Sequence, residues 1–566
     1  MTGKTTGQSS QAKKENVAIK RSTKLFISGV LVLTLANIVN KILGLCFKIP
    51  LERIVSREGM GYFNQAYTIY TWLYMVSTTG LPTAVSMMIS ESRALGDTRG
   101  TKRVFRVTIM LFIIIGAIGT IIMMGGAGVF SVLTKSPNAK LSIIYIGPTL
   151  FFICIASALR GYFQGYQQMV PTAVSQFIES LCKLVIGVIF AKYAISQGYS
   201  TPKIAAYAIL GITIGAGLGA FYLLLSKWFF NESKYNDEYL LPEGAISTPK
   251  PVSAILKRLI VVAVPITISA SMMSMTEFID LAVLMRRLQS IGLTEAAANA
   301  LYGNWKTCVV PMFNMPPVLI YPISYSLVPM IRATITRNEV ERTSIYMHTS
   351  IRICAILSIP CALGMSVMAK PILSLIFSKE GAAMGAPLLS ILSPSIFFVS
   401  MLSISNALLQ ASGHERKPII SMAAGAVVKL LATYLLVGLK IGVDSAGNSV
   451  YLGIYGTPIG TFLCYMTISV INMYYLIKYV GVKLSFSQMF MRPLVASILC
   501  SAAAYGTYYL TIRFIPLYAS TLLGIGIAVI VYVIAIFKLG AISRGDLELL
   551  PGSGKIIRIL ERVRLV

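Results

Sequence analysis

The chain is poor in charge. Only 12% of its 566 residues are Asp, Glu, Lys or Arg, while 55% are hydrophobic; an ordinary soluble protein is about 25% charged. A soluble chain of this length would fold as roughly two to four domains, and its acidic and basic residues are too few to give each a charged surface. Disorder is excluded on the same ground. Histidine is scarcer still, with only His348 and His414, and none of the eight cysteines stands in a CxxC pair. There is no metal-spaced Cys/His cluster and no Walker A loop, so zinc, P-loop and disulfide-framework functions drop out and the cysteines read as small core residues. The long apolar runs lack period-two alternation, which excludes a β-barrel. The segments between them are short, and those expected outside the cell hold no histidine. An enzyme is therefore not expected, and neither catalytic residues, a metal nor a cofactor is assigned.

What is present is a series of apolar runs long enough to cross a membrane, which takes about 20 residues each. They lie near 25–47, 60–90, 104–124, 140–163, 170–195, 204–229, 256–286, 300–331, 346–369, 384–410, 418–438, 450–478, 492–514 and 517–539. The fold class expected is an all-α integral membrane protein of about fourteen transmembrane helices. Pro50, Pro171, Pro265, Pro418 and Pro516 fall near the expected span ends, where a helix tolerates proline best. Residues 1–24 are polar and lysine-bearing, lack a signal-peptide apolar core, and are expected to be a disordered cytoplasmic tail without a cleavage site.

The formal net charge of +28 then finds an explanation. With the N-terminus inside, and basic residues toward a span end assigned to the adjoining side, 32 of the 49 Lys and Arg residues fall on the cytoplasmic side, 13 outside, and four (Lys41, Lys183, Lys306 and Lys429) deep within spans. This is the positive-inside bias. Most of the basic charge orients the chain and meets anionic membrane lipid, so no nucleic-acid partner is needed. After 540 the segment Lys555–Val566 places Ile556, Ile559, Leu560 and Val563 at helical spacing opposite Lys555, Arg558 and Arg562, which fits either an interfacial helix or a frayed tail.

A repeat is visible. Gln164, Pro171 and Lys183 are answered by Gln410, Pro418 and Lys429 at offsets of 246–247, and Gly80-Leu-Pro82 by Leu327-Val-Pro329 at 247. Six spans separate the copies, so both run in the same direction, as in the parallel-repeat plan with a pseudo-twofold along the membrane normal. The expected organisation is a six-helix N-lobe at 25–229, a cytoplasmic connecting segment at 230–253, a six-helix C-lobe at 254–478, two extra helices at 492–539, and a cytoplasmic tail at 540–566. The plan implies lobes that rock about a central cavity. The two extra helices either extend that cavity sideways or add packing surface.

Each charge at mid-membrane costs about 2.5–3.5 kcal/mol on insertion scales, so such residues are functional candidates. Glu179 and Lys183, at i,i+4, suit a self-neutralised structural pair. Glu277 and Asp280, at i,i+3, suit either a proton or cation site or a structural network with Arg286 and Arg287, which can otherwise snorkel to the surface. Lys41, Lys48 and Lys306 have no carboxylate nearby in sequence and either line an electropositive cavity or snorkel. Arg160 is either a headgroup contact or an inner-face anchor. Gly80 and Pro82 break the second span, and Pro316 and Pro329 stand in the proline-rich eighth. Such breaks mark a substrate path or are ordinary kinks.

Several of these stretches resemble bacterial polysaccharide-biosynthesis flippases of the multidrug/oligosaccharidyl-lipid/polysaccharide exporter superfamily. They are Gly80-Leu-Pro-Thr-Ala-Val-Ser86 with Glu91 and Gly96-Asp97, Arg160-Gly-Tyr-Phe-Gln-Gly165, Met169-Val-Pro-Thr-Ala-Val-Ser-Gln176, Ile279-Asp280 with Arg286-Arg-Leu288, Leu301-Tyr-Gly303, Asn314-Met-Pro316, Ser326-Leu-Val-Pro329 and Asp546-Leu-Glu-Leu-Leu-Pro551. The MurJ-like lipid II flippases and the stage V sporulation protein B group are the branches in view. The resemblance implies two lobes, alternating access, and movement of an undecaprenyl-pyrophosphate-linked sugar from the inner to the outer leaflet of the bacterial plasma membrane. It implies a monomer, association with cell-wall synthesis machinery, and coupling to membrane potential, proton or sodium. It assigns the pyrophosphate to Lys41 and Lys48, where relatives carry arginines, and to the eighth-span cation Lys306; lysine is a point charge and cannot make arginine's bidentate contact. A cation-coupled multidrug exporter of the same superfamily is the competing expectation, as is a flippase for an exopolysaccharide or spore-cortex precursor.

Overall fold

The computed structural model describes residues 36, 38–232, 251–337, 339–443, 445, 447, 449–480 and 487–541. The expected N-terminal tail, the start of the first span, most of the 230–253 segment, and the C-terminal tail beyond Ala541 lie outside the described residues.

In lipid, backbone N–H and C=O groups must be satisfied within the segment, and the apolar runs accordingly form helices. Helix α1 covers residues 38–54. Then follow α2 (Arg57–Thr78), α3 (Gly80–Ala94), α4 (Thr98–Gly125), the short α5 (Ala127–Leu133) and α6 (Lys140–Ile146), α7 (Thr149–Gly165), α8 (Val170–Ser196) and α9 (Thr201–Trp228). After the undescribed stretch come α10 (Val252–Ser290), α11 (Glu295–Asn304), a π-helical turn at Trp305–Val309, and α12 (Val310–Thr336). Next are α13 (Val340–Val367), α14 (Ala369–Ile376), α15 (Lys379–Leu392), α16 (Ser395–Ala411) and α17 (Lys417–Val437). A hairpin of β1 (Lys440–Val443) and β2 (Ser449–Tyr451) precedes α18 (Gly456–Tyr475), α19 (Arg492–Thr511) and α20 (Leu517–Lys538). Several helix starts carry side-chain caps. Ser56 accepts from Gly59 N at 3.2 Å, Asp97 from Gly100 N at 2.7 Å, and Ser378 from Gly381 N at 3.1 Å.

Among the described residues nine helices are long and apolar enough to cross a membrane, and eleven spans result if each bent pair is one. The bent pairs are Val252–Ser290, with a 47° break, and Lys379–Ala411, with 50°. The expected spans outside this count are 25–47, 60–90 and 300–331, the first of which begins in undescribed residues. Pro171, Pro418 and Pro516 stand at helix starts as expected. Pro50 and Pro265 lie inside α1 and α10 instead.

The chain forms two compact units, Met1–Phe278 and Ile279–Val566. The boundary falls inside α10 rather than in the 230–253 segment, because the first half of α10 packs on the N-terminal unit. Arg258 reaches Glu91 at 2.5 Å, Gly80 N donates to Thr267 Oγ1 at 3.2 Å, and a Cβ at Gly80 would collide with the Ala263 carbonyl.

The two units repeat one plan. α7 and α16 are both 17 residues long and 246 apart at each end; α4 and α13 are both 28 residues long and 242 apart. The four-residue difference sits where α15 is longer than α6 and the 3₁₀ turn before it, Pro137–Ala139, together. In each unit one helix pair is drawn close by small residues four apart. On α9, a Cβ at Gly215 would stand 2.8 Å from the Glu179 carbonyl, and one at Gly219 would stand 3.1 Å from that of Ser175. On α18, Gly456 and Gly460 meet Val437 N and Thr433 Oγ1 at 2.7 and 3.0 Å in the same sense.

Candidate functional site

The membrane-depth charges of the N-terminal unit gather on α8. Arg160, from α7, bridges two of its turns: Nη2 lies 3.0 Å from Glu179 Oε2, and Nε donates to Ser175 Oγ at 3.1 Å. The Arg160 side chain is 10% exposed. It is neither an inner-face anchor nor a free headgroup contact, because its charge is spent on Glu179. The expected Glu179–Lys183 pair is thereby corrected. Lys183 turns to aromatic faces, with Nζ 5.1 Å from the Phe47 ring centroid on α1 and 4.7 Å from that of Tyr67 on α2. Among the described residues it makes no ion pair. Two cation–π contacts contribute about 0.5–2 kcal/mol each, against an insertion cost of about 2.5–3.5 kcal/mol for a mid-membrane lysine. Phe47 and Tyr67 belong to an aromatic row with Phe63, Tyr70 and Tyr74, whose neighbouring centroids lie 5.8–6.3 Å apart.

The C-terminal unit solves the equivalent position differently. Lys429 on α17, the repeat partner of Lys183, lies 3.3 Å from Asp280 on α10, and Thr433 donates to Asp280 Oδ1 at 2.8 Å. The two charged side chains are 12% and 10% exposed. Glu277, one turn earlier on α10, is exposed. Arg287 reaches the end of α17. Its Nε donates to the Tyr434 carbonyl at 3.2 Å, and its guanidinium lies 4.8 Å from the Tyr434 ring, over Gly438, where a Cβ would leave no room. A cation on the last carbonyls of α17 also complements the helix dipole. Arg286 is exposed. Sequence reasoning missed the Asp280–Lys429 pair because 149 positions separate its members, though each was an isolated mid-membrane charge of opposite sign.

Lys41 is exposed and Lys48 half-buried, both on α1, and Lys306 is half-buried within the π-helical turn. π-Turns interrupt α-helices frequently at functional sites. Here the turn immediately precedes Pro311, whose missing N–H and bulky ring disfavour regular i→i−4 geometry. This is where the eighth span is irregular. The expected breaks at Pro316 and Pro329 are corrected, since α12 runs through both positions. The break ahead of Pro82 does occur: Thr79 separates α2 from α3, and its N–H reaches the Met75 carbonyl only at 3.4 Å.

Two further features complete the picture. α19 and α20 line, with α12, α13 and α14, an open apolar cavity of about 350 Å³ bordered by Pro316, Pro360, Met368, Cys500, Ala528 and Tyr532. At the end of α9, Glu232 accepts from Lys227 and, at 2.7 Å, from the Tyr162 hydroxyl, with Lys102 at 3.8 Å. Burial pushes the Glu232 carboxyl up, but the hydrogen bonds from Lys227 and Tyr162 outweigh it and hold the group below the usual carboxylate range.

Comparison with known proteins gives a consistent match. The family described as polysaccharide biosynthesis protein matches residues 26–335, and the MatE family matches 308–435. The chain is 24% identical over 551 residues to the uncharacterized membrane protein YabM of Bacillus subtilis (strain 168), covering 94% of this chain and 96% of that one. It is 24% identical over 431 residues to the lipid II flippase MurJ of the same organism, covering 74% and 78%. A solved structure of lipid II flippase MurJ in an inward closed conformation superposes with a TM-score of 0.63 at 16% identity, over 89% of this chain and 98% of that one.

Proposed function

Because the chain belongs to the polysaccharide biosynthesis protein family of multi-pass membrane transporters, we propose that it is a flippase for an undecaprenyl-pyrophosphate-linked oligosaccharide, with lipid II the leading substrate. It moves the glycolipid from the inner to the outer leaflet of the bacterial plasma membrane by alternating access, with both termini cytoplasmic. The observation that carries the reading is the placement of Lys41, Lys48 and Lys306 on α1 and on the π-turn. A lysine at membrane depth is costly, and an anionic headgroup would offset that cost. The apolar cavity beside α19 and α20 suits part of a prenyl chain.

Depleting the protein and assaying which leaflet holds lipid II tests the substrate. Accumulation in the inner leaflet is expected, and unchanged orientation overturns lipid II. Lys41→Ala and Lys306→Ala are expected to insert normally but to fail complementation; full activity in both refutes the assignment of these lysines to the headgroup.

A cation-coupled drug exporter is the second reading, favoured by the MatE match. Its coupling ion would need an available carboxylate. Asp280 already has an ammonium at 3.3 Å and Glu179 a guanidinium at 3.0 Å. A cation gradient that drives export of organic cations from proteoliposomes would restore this reading.

A further inference from the structure

Lys183 stands at the middle of α8, 13 residues from Val170 and 13 from Ser196. That is about 20 Å from either end at 1.5 Å per residue. Its only described contacts are the faces of Phe47 and Tyr67. The carboxylate one turn away, Glu179, is held by Arg160 and Ser175. The position is built to leave the lysine this way: Gly187, one turn on, lacks the Cβ that would stand 2.9 Å from Phe47 Cε2, so the ring lies against the helix beside the ammonium. Aromatic faces replace part of the hydration of a cation without cancelling its charge. A carboxylate, as at Lys429, cancels it.

We propose that the Lys183 ammonium, backed by Phe47 and Tyr67, is an anion-receiving site for a phosphate group at membrane depth. Resting on the lipid-linked substrate proposed above, its ligand is the pyrophosphate of the carried glycolipid. The half-buried ammonium offers the donors not facing the rings to phosphate oxygens. The site lies wholly within the N-terminal unit. In the repeat-equivalent place Lys429 is paired with Asp280, so of these two repeat-related lysines only Lys183 receives the anion.

The test uses the full chain in nanodiscs of neutral lipid. Binding of undecaprenyl pyrophosphate, undecaprenol, phosphatidylglycerol and inorganic pyrophosphate is measured for the wild type, Lys183→Gln, Lys183→Arg and Lys192→Gln, the last replacing an exposed lysine of the same helix. Lys183→Gln is expected to weaken undecaprenyl pyrophosphate about tenfold, as loss of one charge-assisted contact does. It should leave undecaprenol unchanged, while Lys183→Arg retains binding and Lys192→Gln stays within about twofold. Inorganic pyrophosphate is expected to compete only weakly; full competition would identify a soluble phosphate as the ligand and overturn the lipid assignment. Equal binding by wild type and Lys183→Gln overturns the site while leaving the flippase reading intact. A wild type that ignores undecaprenyl pyrophosphate but binds phosphatidylglycerol through Lys183 overturns the substrate and supports the anion site. Thermal stability of Lys183→Gln at or above that of the wild type excludes misfolding as the cause of a loss.

Discussion

Lys183 and Lys429 occupy the same place in the repeat, 246 residues apart, on helices packed against their neighbours through the same seam of small residues. One ammonium faces two aromatic rings and the other a carboxylate. The scaffold is therefore indifferent to how the charge is stabilised; that choice belongs to the helices packed around it. In the N-terminal unit Arg160 has taken the nearby acid, and in the C-terminal unit Asp280 is delivered from α10. A repeat preserves geometry more readily than it preserves charge.

The strongest way to break this comparison is Lys429→Met. It leaves Asp280 buried with only Thr433, and a loss of about 3–5 kcal/mol is expected, read as a lowered thermal unfolding midpoint in detergent. Adding Asp280→Asn should recover most of it. Arg160→Ala comes next, at about 2–3 kcal/mol, because Glu179 keeps more contact with its surroundings. The double variant with Glu179→Gln should be milder than the single, and equal losses would show that the two residues are not coupled. Lys183→Met sharpens the contrast through its sign. Removing a mid-membrane charge held only by rings should stabilise the protein by about 1 kcal/mol. Destabilisation in parallel with Lys429→Met would erase the distinction between the units.

The smallest effect concerns Glu232. Its carboxyl is held below the usual range in the folded state, so the stability it contributes is fully present at neutral pH. That stability is lost as the pH falls below about 4.5, the unfolded value, toward the depressed folded one. A partly exposed cluster of this kind contributes about 0.2–1 kcal/mol. Glu232→Gln should flatten that acid limb of the stability profile and leave the neutral plateau little changed.

Much of the architecture was legible in the chain because lipid allows few solutions: apolar runs of the right length become helices, and the 246–247 offsets in the sequence reappear as matched helix lengths. Partners at membrane depth were less legible. The i,i+4 spacing of Glu179 and Lys183 permits a pair, but spacing along one helix does not show that Arg160 approaches from another. Asp280 and Lys429 were visible only as solitary charges. The row Tyr67, Tyr70 and Tyr74 was the available signal for a cation–π site, and nothing in its periodicity says which lysine it serves. The β1–β2 hairpin was missed as well, although Asp444-Ser-Ala-Gly-Asn448 is a turn-forming run.

The boundary inside α10 also has a consequence for biosynthesis. The last residue that completes the N-terminal unit is Phe278, well beyond the segment that follows α9. While the chain is being made, the first six spans lack Ala263, Thr267 and Arg258, which dock against Gly80 and Glu91. The N-terminal half therefore waits, incomplete, for a helix whose far end already belongs to the next half. A nick within 233–250 would yield two fragments that must find each other, because the cut divides the sequence at a place where the structure is not divided.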